Sequence, residues 1–296
     1  MADGKGRIAW IDIARVLAIV LIVGFHLAYA IAENQALRPI GFVGASLFFI
    51  VSGYVLAHRY ANLDGFDSGW LKKRYVKIAS LYYPALIAMA LLFPVDTYYR
   101  GPYDLLLHFT FMNWVSHDTA FSIISAGWFM VPLAGLYALF PFLNRFLRQA
   151  PALLFTAFAI ELANRIIARD LVSFSPLFFL GEFCFGIALA QGERRWWVLA
   201  AALLPALVNP VMAAPFMMFL LLWLLRGRMI ALPGLVHLVA KNTFEIFLFH
   251  EAVIMVALGS WSFYGQGTAV SLAILALALA VVKLASQRLA LYFFQK

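Results

Sequence analysis

Charge is scarce in this 296-residue sequence, and acidic charge is scarcest: 14 Asp and Glu stand against 22 Lys and Arg, and charged residues make up 12% of the chain. A water-soluble domain carries about 25% charged residues to solvate its surface. With 65% hydrophobic residues, this chain cannot cover a water-facing surface. That excludes soluble enzyme folds, nucleic-acid-binding modules and disordered classes together. Cysteine is nearly absent: Cys184 stands alone in an apolar stretch, so no disulfide framework exists. Internal repeats, low-complexity tracts and a linker to a second domain are also missing, and the expectation is one membrane domain over residues 1–296.

What the chain has in abundance is long apolar runs. A membrane helix needs about 20 mostly apolar residues to cross about 30 Å of hydrocarbon. That window finds ten candidate spans, near 9–31, 40–58, 76–94, 124–143, 152–168, 175–191, 196–208, 210–225, 242–260 and 267–290. The seventh and eighth are short and meet at Asn209-Pro210, so one broken hairpin is the alternative. Basic residues test the layout independently, because short cytoplasmic loops are enriched in Lys and Arg. With the N-terminus inside, sixteen Lys and Arg fall on cytoplasmic segments and four on outer ones, leaving Arg15 and Lys283 within spans. The expected fold is an all-α bundle of about ten spans with both termini cytoplasmic. The net charge of +8 is then topology before it is recognition.

The N-terminus also has the layout of a cleavable signal peptide, with Lys5 and Arg7, the apolar run Val16 to Phe25, then Ala28-Tyr29-Ala30. Asp12 and Arg15 stand just before that run, and a polytopic chain needs no cleavage, so the first span is expected to be retained.

Ionisable residues inside spans cost at least about 2.5–3.5 kcal/mol at the bilayer centre and mark candidate functional positions. The first span holds Asp12, Arg15 and His26. Eleven residues separate Arg15 from His26, close to three helical turns, so both project from one face about 16 Å apart along the axis. Glu161 and Arg165 stand i to i+4 and are expected to pair. Glu182 opens a Gly-punctuated stretch to Gly186, while Glu245, His250 and Glu251 lie in the ninth span. Lys283 is read either as a tether or as the partner of a carboxylate. His108, His117 and Asp118 fall in the longest polar outer segment, Val95 to about Ile123. Their spacing matches no metal-ligand pattern and they are expected to be solvated, with no metal in the protein. The loop from Trp70 to Lys77 puts Lys72, Lys73, Arg74 and Lys77 at the inner surface. Two readings of it stay open: an anchor for anionic lipid or a holder of donor phosphates.

Taken in order, these motifs resemble acyltransferase family 3, integral membrane enzymes that acylate envelope carbohydrates. Asp12-Ile-Ala-Arg15 followed by His26 is similar to its Asp-x-x-Arg opening and Arg-x10-His spacing. Phe48-Phe49-Ile-Val-Ser52-Gly53 resembles its Phe-Phe-x-x-Ser-Gly signature. Arg74-Tyr-Val-Lys77 with Tyr82-Tyr83-Pro84, Trp128 of the fourth span, Phe178 to Gly186, and Phe244 to His250 resemble its later elements. Lys77 departs from the family's second Arg, keeping the charge but losing bidentate phosphate recognition. The Glu that many members carry after the fourth-span Trp is absent from Phe129-Met130-Val131-Pro132-Leu133. Glu182, Glu245 and Glu251 are the available replacements.

The resemblance implies a multi-pass membrane O-acyltransferase, in the cytoplasmic membrane if the source is prokaryotic. It would take the acyl group of an acyl-CoA, acetyl-CoA in the first instance, to a carbohydrate or glycolipid hydroxyl. His26 is then the expected general base, since free imidazole titrates near 6.5. Arg15 is its charge-stabilising companion, and Arg74, Lys77, Lys73 and Lys72 hold the donor. Asp12, Ser52, Glu182 and His250 are supporting candidates. Membrane lipids are the other expected partner, and nucleic acid is not expected. Direct transfer and an outward acyl relay through His26 both remain open. A transporter without acyl-transfer chemistry is the competing reading, since transporters also place charge within spans and use broken helices.

Overall fold

The computed structural model describes residues 2–3, 7–33, 35–63, 65–92, 101–167, 175–192, 198, 201, 203–207, 210–227, 234–261, 263 and 266–294. Apart from a two-residue antiparallel pairing of Ala2–Asp3 with Arg7–Ile8, its regular elements are helical. They are α1 (Ala9–Ala32), α2 (Arg38–Arg59), α3 (Ser68–Leu92), α4 (Pro102–Phe109), α5 (His117–Ala120) and α6 (Met130–Gln149), then α7 (Leu153–Ile167), α8 (Leu180–Ala190), α9 (Ala214–Leu225), α10 (Gly234–Lys241), α11 (Thr243–Ala257) and α12 (Thr268–Phe294). Among the described residues five stretches are long and apolar enough to cross a membrane: Ala9–Ala32, Arg38–Arg59, Ser68–Leu92, Ser125–Gln149 and Thr268–Phe293. Leu177–Ala190 and Pro210–Leu225 are shorter apolar helices. Of the expected span at 196–208, residues 196–197, 199–200, 202 and 208 lie outside the described residues, as does Asn209. Pro141 sits inside α6 without ending it.

The basic segment from Trp70 to Lys77 is not a loop, as the sequence reading had it, but the opening turns of α3. The reason is local. Asp67 caps the helix: its Oδ1 accepts from the Trp70 amide at 2.9 Å and its carbonyl from the Leu71 amide at 2.9 Å, satisfying donors that a helix start otherwise leaves open. Leu, Lys and Arg then favour continuation.

Two compact units make up the chain, each discontinuous in sequence. The first comprises Met1–Phe66, Leu139–Ile167 and Phe179–Phe247, and the second Asp67–Ala138, Ala168–Phe178 and Leu248–Lys296.

In the first unit α2 is the central helix. It runs antiparallel to α1, since its Gly44 lies against Ala18 and Ile22 and its Tyr54 packs on Trp10 with ring centroids 5.1 Å apart. It runs parallel to α8, since Ser46 meets Glu182 and Tyr54 lies against Gly186. Gly44 and Gly53 are nine residues apart, two and a half turns, so they open opposite sides of α2. At Gly53 a Cβ would collide with the Phe183 carbonyl, and at Gly186 with the Ile50 carbonyl. The two backbones therefore cross in contact, a packing that only small residues permit. Beside the crossing, Phe49 stacks on Phe179 at 4.2 Å. The far end of α2 is tied down by Asn144 of α6, whose Nδ2 donates to the Tyr60 and Leu63 carbonyls at 3.3 and 2.8 Å. Asn144 Oδ1 in turn accepts from Gln191 Nε2 at 2.8 Å.

In the second unit α3 packs along α12. The described part of the outer segment, from Gly101 onward, folds into α4, α5 and short 3-10 turns.

Because the crossing admits no side chain, Gly53→Ala is expected to destabilise the protein by about 1–3 kcal/mol through overpacking, and Gly186→Ala likewise. Thermal unfolding of the detergent-purified variants checks this. A Tm equal to wild type for both would mean that the helices do not cross in backbone contact.

Candidate active site

The predicted catalytic pair lies on one uninterrupted helix, α1. Arg15, Ile19, Ile22 and His26 recur at i, i+4, i+7 and i+11, one ridge of the helix. Ile19 and Ile22 are buried, and Ile22 touches Gly44 of α2, so this ridge faces protein. Arg15 and His26 are half-buried at its two ends, and the His26 ring packs edge-on against Phe25 at 4.8 Å. The ridge thus carries two polar groups separated by apolar side chains.

Asp12 is buried beside Arg15. Its Oδ1 stands 3.4 Å from Arg15 Nη1, while its other oxygen, Oδ2, lies 3.8 Å from Nδ1 of His237 on α10. The carboxylate is nearly sealed from solvent, whereas the Arg15 side chain is 32% exposed. His237 had no place in the sequence reading.

The four candidate donor-binding cations share the first turns of α3 in the second unit. Lys72, Lys73 and Lys77 are exposed. Arg74 is half-buried, its guanidinium 5.6 Å from the ring centre of buried Trp70, an arrangement favourable for cation–π attraction. Arg74 and Lys77, at i and i+3, present neighbouring charges on one side of the helix.

Of the supporting candidates, Ser52 is half-buried on α2 beside the Gly53 crossing. Glu182 belongs to a buried polar cluster in the first unit. Its Oε1 accepts from Ser46 Oγ at 3.0 Å and from Arg165 Nη2 at 2.8 Å. Arg165 Nε also donates to Glu161 Oε1 at 2.9 Å, and the Gly181 amide to Glu161 Oε2 at 2.7 Å. The i to i+4 pairing expected of Glu161 and Arg165 is therefore present, and it extends to a second carboxylate on α8. Losing one partner of such a buried set costs about 3–5 kcal/mol, so the cluster fastens α2, α7 and α8 together. Oε2 of Glu182 is buried and makes no hydrogen bond among the described residues. His250 is buried on α11 in the second unit, and the adjacent Glu251 carboxyl lies near the Ser125 side chain. Lys283 is exposed on α12 rather than turned inward. No three His, Cys, Asp or Glu side chains among the described residues converge as a metal site would require.

One expectation is overturned. His108 is not solvated but fully buried on α4. Its Nδ1 lies 2.6 Å from the Tyr82 hydroxyl and its Nε2 3.1 Å from Ser122 Oγ, which itself donates to the Thr119 carbonyl at 3.1 Å. Gly127 leaves the space that the ring fills. The partners come from α3 and from the turns after α5, so the ring's burial depends on contacts that its own neighbours in sequence do not announce. Asp118, by contrast, is exposed as expected, and the His117 side chain is outside the described residues.

Burial lowers the His108 pKa from the ordinary 6.5 to about 4, the nearby Asp104 charge offsetting part of the effect. The folded protein therefore keeps this ring neutral where the unfolded chain would protonate it. The stability that this contributes is complete above about 6.5 and is lost as pH falls toward about 4. Melting temperatures of wild type and His108→Gln, taken between pH 7.5 and 4.5, should converge as the pH drops. Parallel curves would show that the ring is not held neutral.

Comparison with known proteins bears directly on this arrangement. A family model described as an acyltransferase domain matches residues 8–209, which include α1, the basic start of α3 and the Glu182 cluster. His237 and His250 lie beyond the matched stretch. Neither a curated protein nor a solved structure matches the chain. A match over more than half of the sequence, joined to helices long enough to cross a membrane, places it: the chain belongs to acyltransferase family 3, as a multi-pass membrane acyltransferase.

Proposed function

We propose that this protein moves an acyl group, acetyl in the simplest case, from cytoplasmic acyl-CoA to a hydroxyl of a cell-envelope carbohydrate or glycolipid. The observation that carries the reading is the Arg15–His26 ridge, with two polar groups on the protein-facing side of one helix inside the matched family region. A purely structural helix of this kind would have no need of both. In the proposed arrangement about ten spans cross the membrane, the cytoplasmic membrane if the source is prokaryotic, with both termini inside.

The chemistry follows from the residue types. His26 removes the proton of the acceptor hydroxyl, and the oxygen attacks the thioester carbonyl. The carbon–sulfur bond then breaks, and coenzyme A leaves as the thiol after taking up the proton. Arg15 stabilises negative charge on the donor or on the tetrahedral intermediate. Arg74, Lys77, Lys72 and Lys73 hold the donor phosphates, Arg74 preset by its contact with Trp70. Asp12 supports Arg15, and Ser52 supplies a hydrogen bond beside the crossing. Glu182 and His250 act as buried supports. No metal is needed for this reaction.

The test is transfer of radiolabelled acyl-CoA to a panel of envelope glycans by detergent-purified protein. His26→Ala should reduce the rate by about 10²–10⁴, and Arg74→Ala should raise KM for acyl-CoA more than it lowers kcat. Equal transfer by wild type and His26→Ala removes the proposed base. In single turnover, an acyl group trapped on His26 identifies the relay, and its absence identifies direct transfer.

A further inference from the structure

We infer that His237 is a positioning residue for Arg15, acting through Asp12. The inference rests on the role given to Arg15 above. Asp12 presents its two carboxylate oxygens in different directions: Oδ1 toward Arg15 Nη1 at 3.4 Å, and Oδ2 toward His237 Nδ1 at 3.8 Å. A carboxylate this deeply buried is costly unless its oxygens find charge or donors. Arg15 supplies one, from three residues along the same helix. His237 brings an imidazole nitrogen to within 3.8 Å of the other from α10, a separate element packed against α1.

The geometry gives the second contact a specific consequence. An imidazole beside the second oxygen narrows the orientations open to a carboxylate whose first oxygen already faces the guanidinium. Flanked at both oxygens it favours one orientation, and Arg15, one-third exposed and rich in rotamers, is steadied with it. The imidazole itself is 45% exposed, so its removal opens no sealed cavity in the core. Removing it should therefore disturb Arg15 without unfolding the protein. This makes α10, an eight-residue helix beyond the matched family stretch, part of the apparatus that presents Arg15.

Two readouts on the full-length detergent-purified protein test this. The first needs no activity: modification of Arg15 by phenylglyoxal, followed by mass spectrometry. His237→Ala should speed the modification severalfold, Asp12→Asn should do so at least as much, and His237→Gln, which keeps a donor, should restore a rate near that of wild type. In the Asp12→Asn background His237→Ala should add nothing, because the effect passes through that carboxylate. The second readout is kinetic: His237→Ala should lower kcat by about 10-fold through misalignment, with KM for the acceptor nearly unchanged. An Arg15 modification rate unmoved by His237→Ala overturns the inference whatever the activity. So does an equal effect of His237→Ala in the wild-type and Asp12→Asn backgrounds. If the modification responds as expected but wild type transfers no acyl group, the acyl-transfer reading falls while the positioning of Arg15 stands.

Discussion

The backbone crossing of α2 and α8 is the contact on which the first unit depends. Between membrane helices there is little hydrophobic force to gain, because lipid is as apolar as the helix faces themselves. Association comes instead from close packing and from polar contacts. Gly53 and Gly186 bring two carbonyl backbones into contact, and that approach sets the Ser46 hydroxyl within reach of Glu182 and the Phe49 ring on Phe179. Gly44, on the opposite side of α2, lets α1 approach and so turns the ridge holding Arg15 and His26 toward protein rather than lipid. One helix with glycines on two sides thus accounts for the position of both neighbours.

The same helix keeps two polar systems apart. Gly44 faces α1 and Ser46 reaches α8; two residues correspond to about 200° around the helix, so the two groups leave α2 in nearly opposite directions. On the α8 side Glu161, Arg165, Glu182 and Ser46 bond to one another, and even the guanidinium is only 12% exposed. That is a closed set, suited to holding α7, α8 and α2 in register. On the α1 side Asp12 is buried while Arg15 and His26 stay half-buried. Charge that is paired and sealed from solvent serves structure. Charge that is anchored at one end and reachable at the other is what a reaction on a diffusing substrate requires.

What was legible in the sequence follows the range over which each feature is determined. The common face of Arg15 and His26 depends only on helical periodicity along one span, and the Glu161–Arg165 pair only on i to i+4 spacing; both could be read directly. Phe49 and Gly53 were visible as a motif, but their physical meaning, a ring stack and a backbone crossing, needed the position of α8. His108 was misread because its burial is imposed by Tyr82, 26 residues away, and by Ser122, while its own neighbourhood looks like a polar outer loop. The start of α3 was placed too late because a hydropathy window sees its cations and not the Asp67 cap that begins the helix. His237 sits in a short helix with no motif of its own, and only its approach to Asp12 gives it meaning.

The family pattern leaves a gap after Trp128, where Phe129 to Leu133 carry no carboxylate. Glu182 is poorly placed to fill it by acting on a substrate, because one oxygen already serves Ser46 and Arg165 and its environment is closed. Glu251 lies near Ser125, three residues before Trp128, so a carboxylate does stand near the start of that span, delivered by α11 instead of by the span itself. A side chain need not come from the same helix to occupy the same neighbourhood. In this chain a carboxylate has been brought beside the fourth apolar stretch from a helix more than a hundred residues further along.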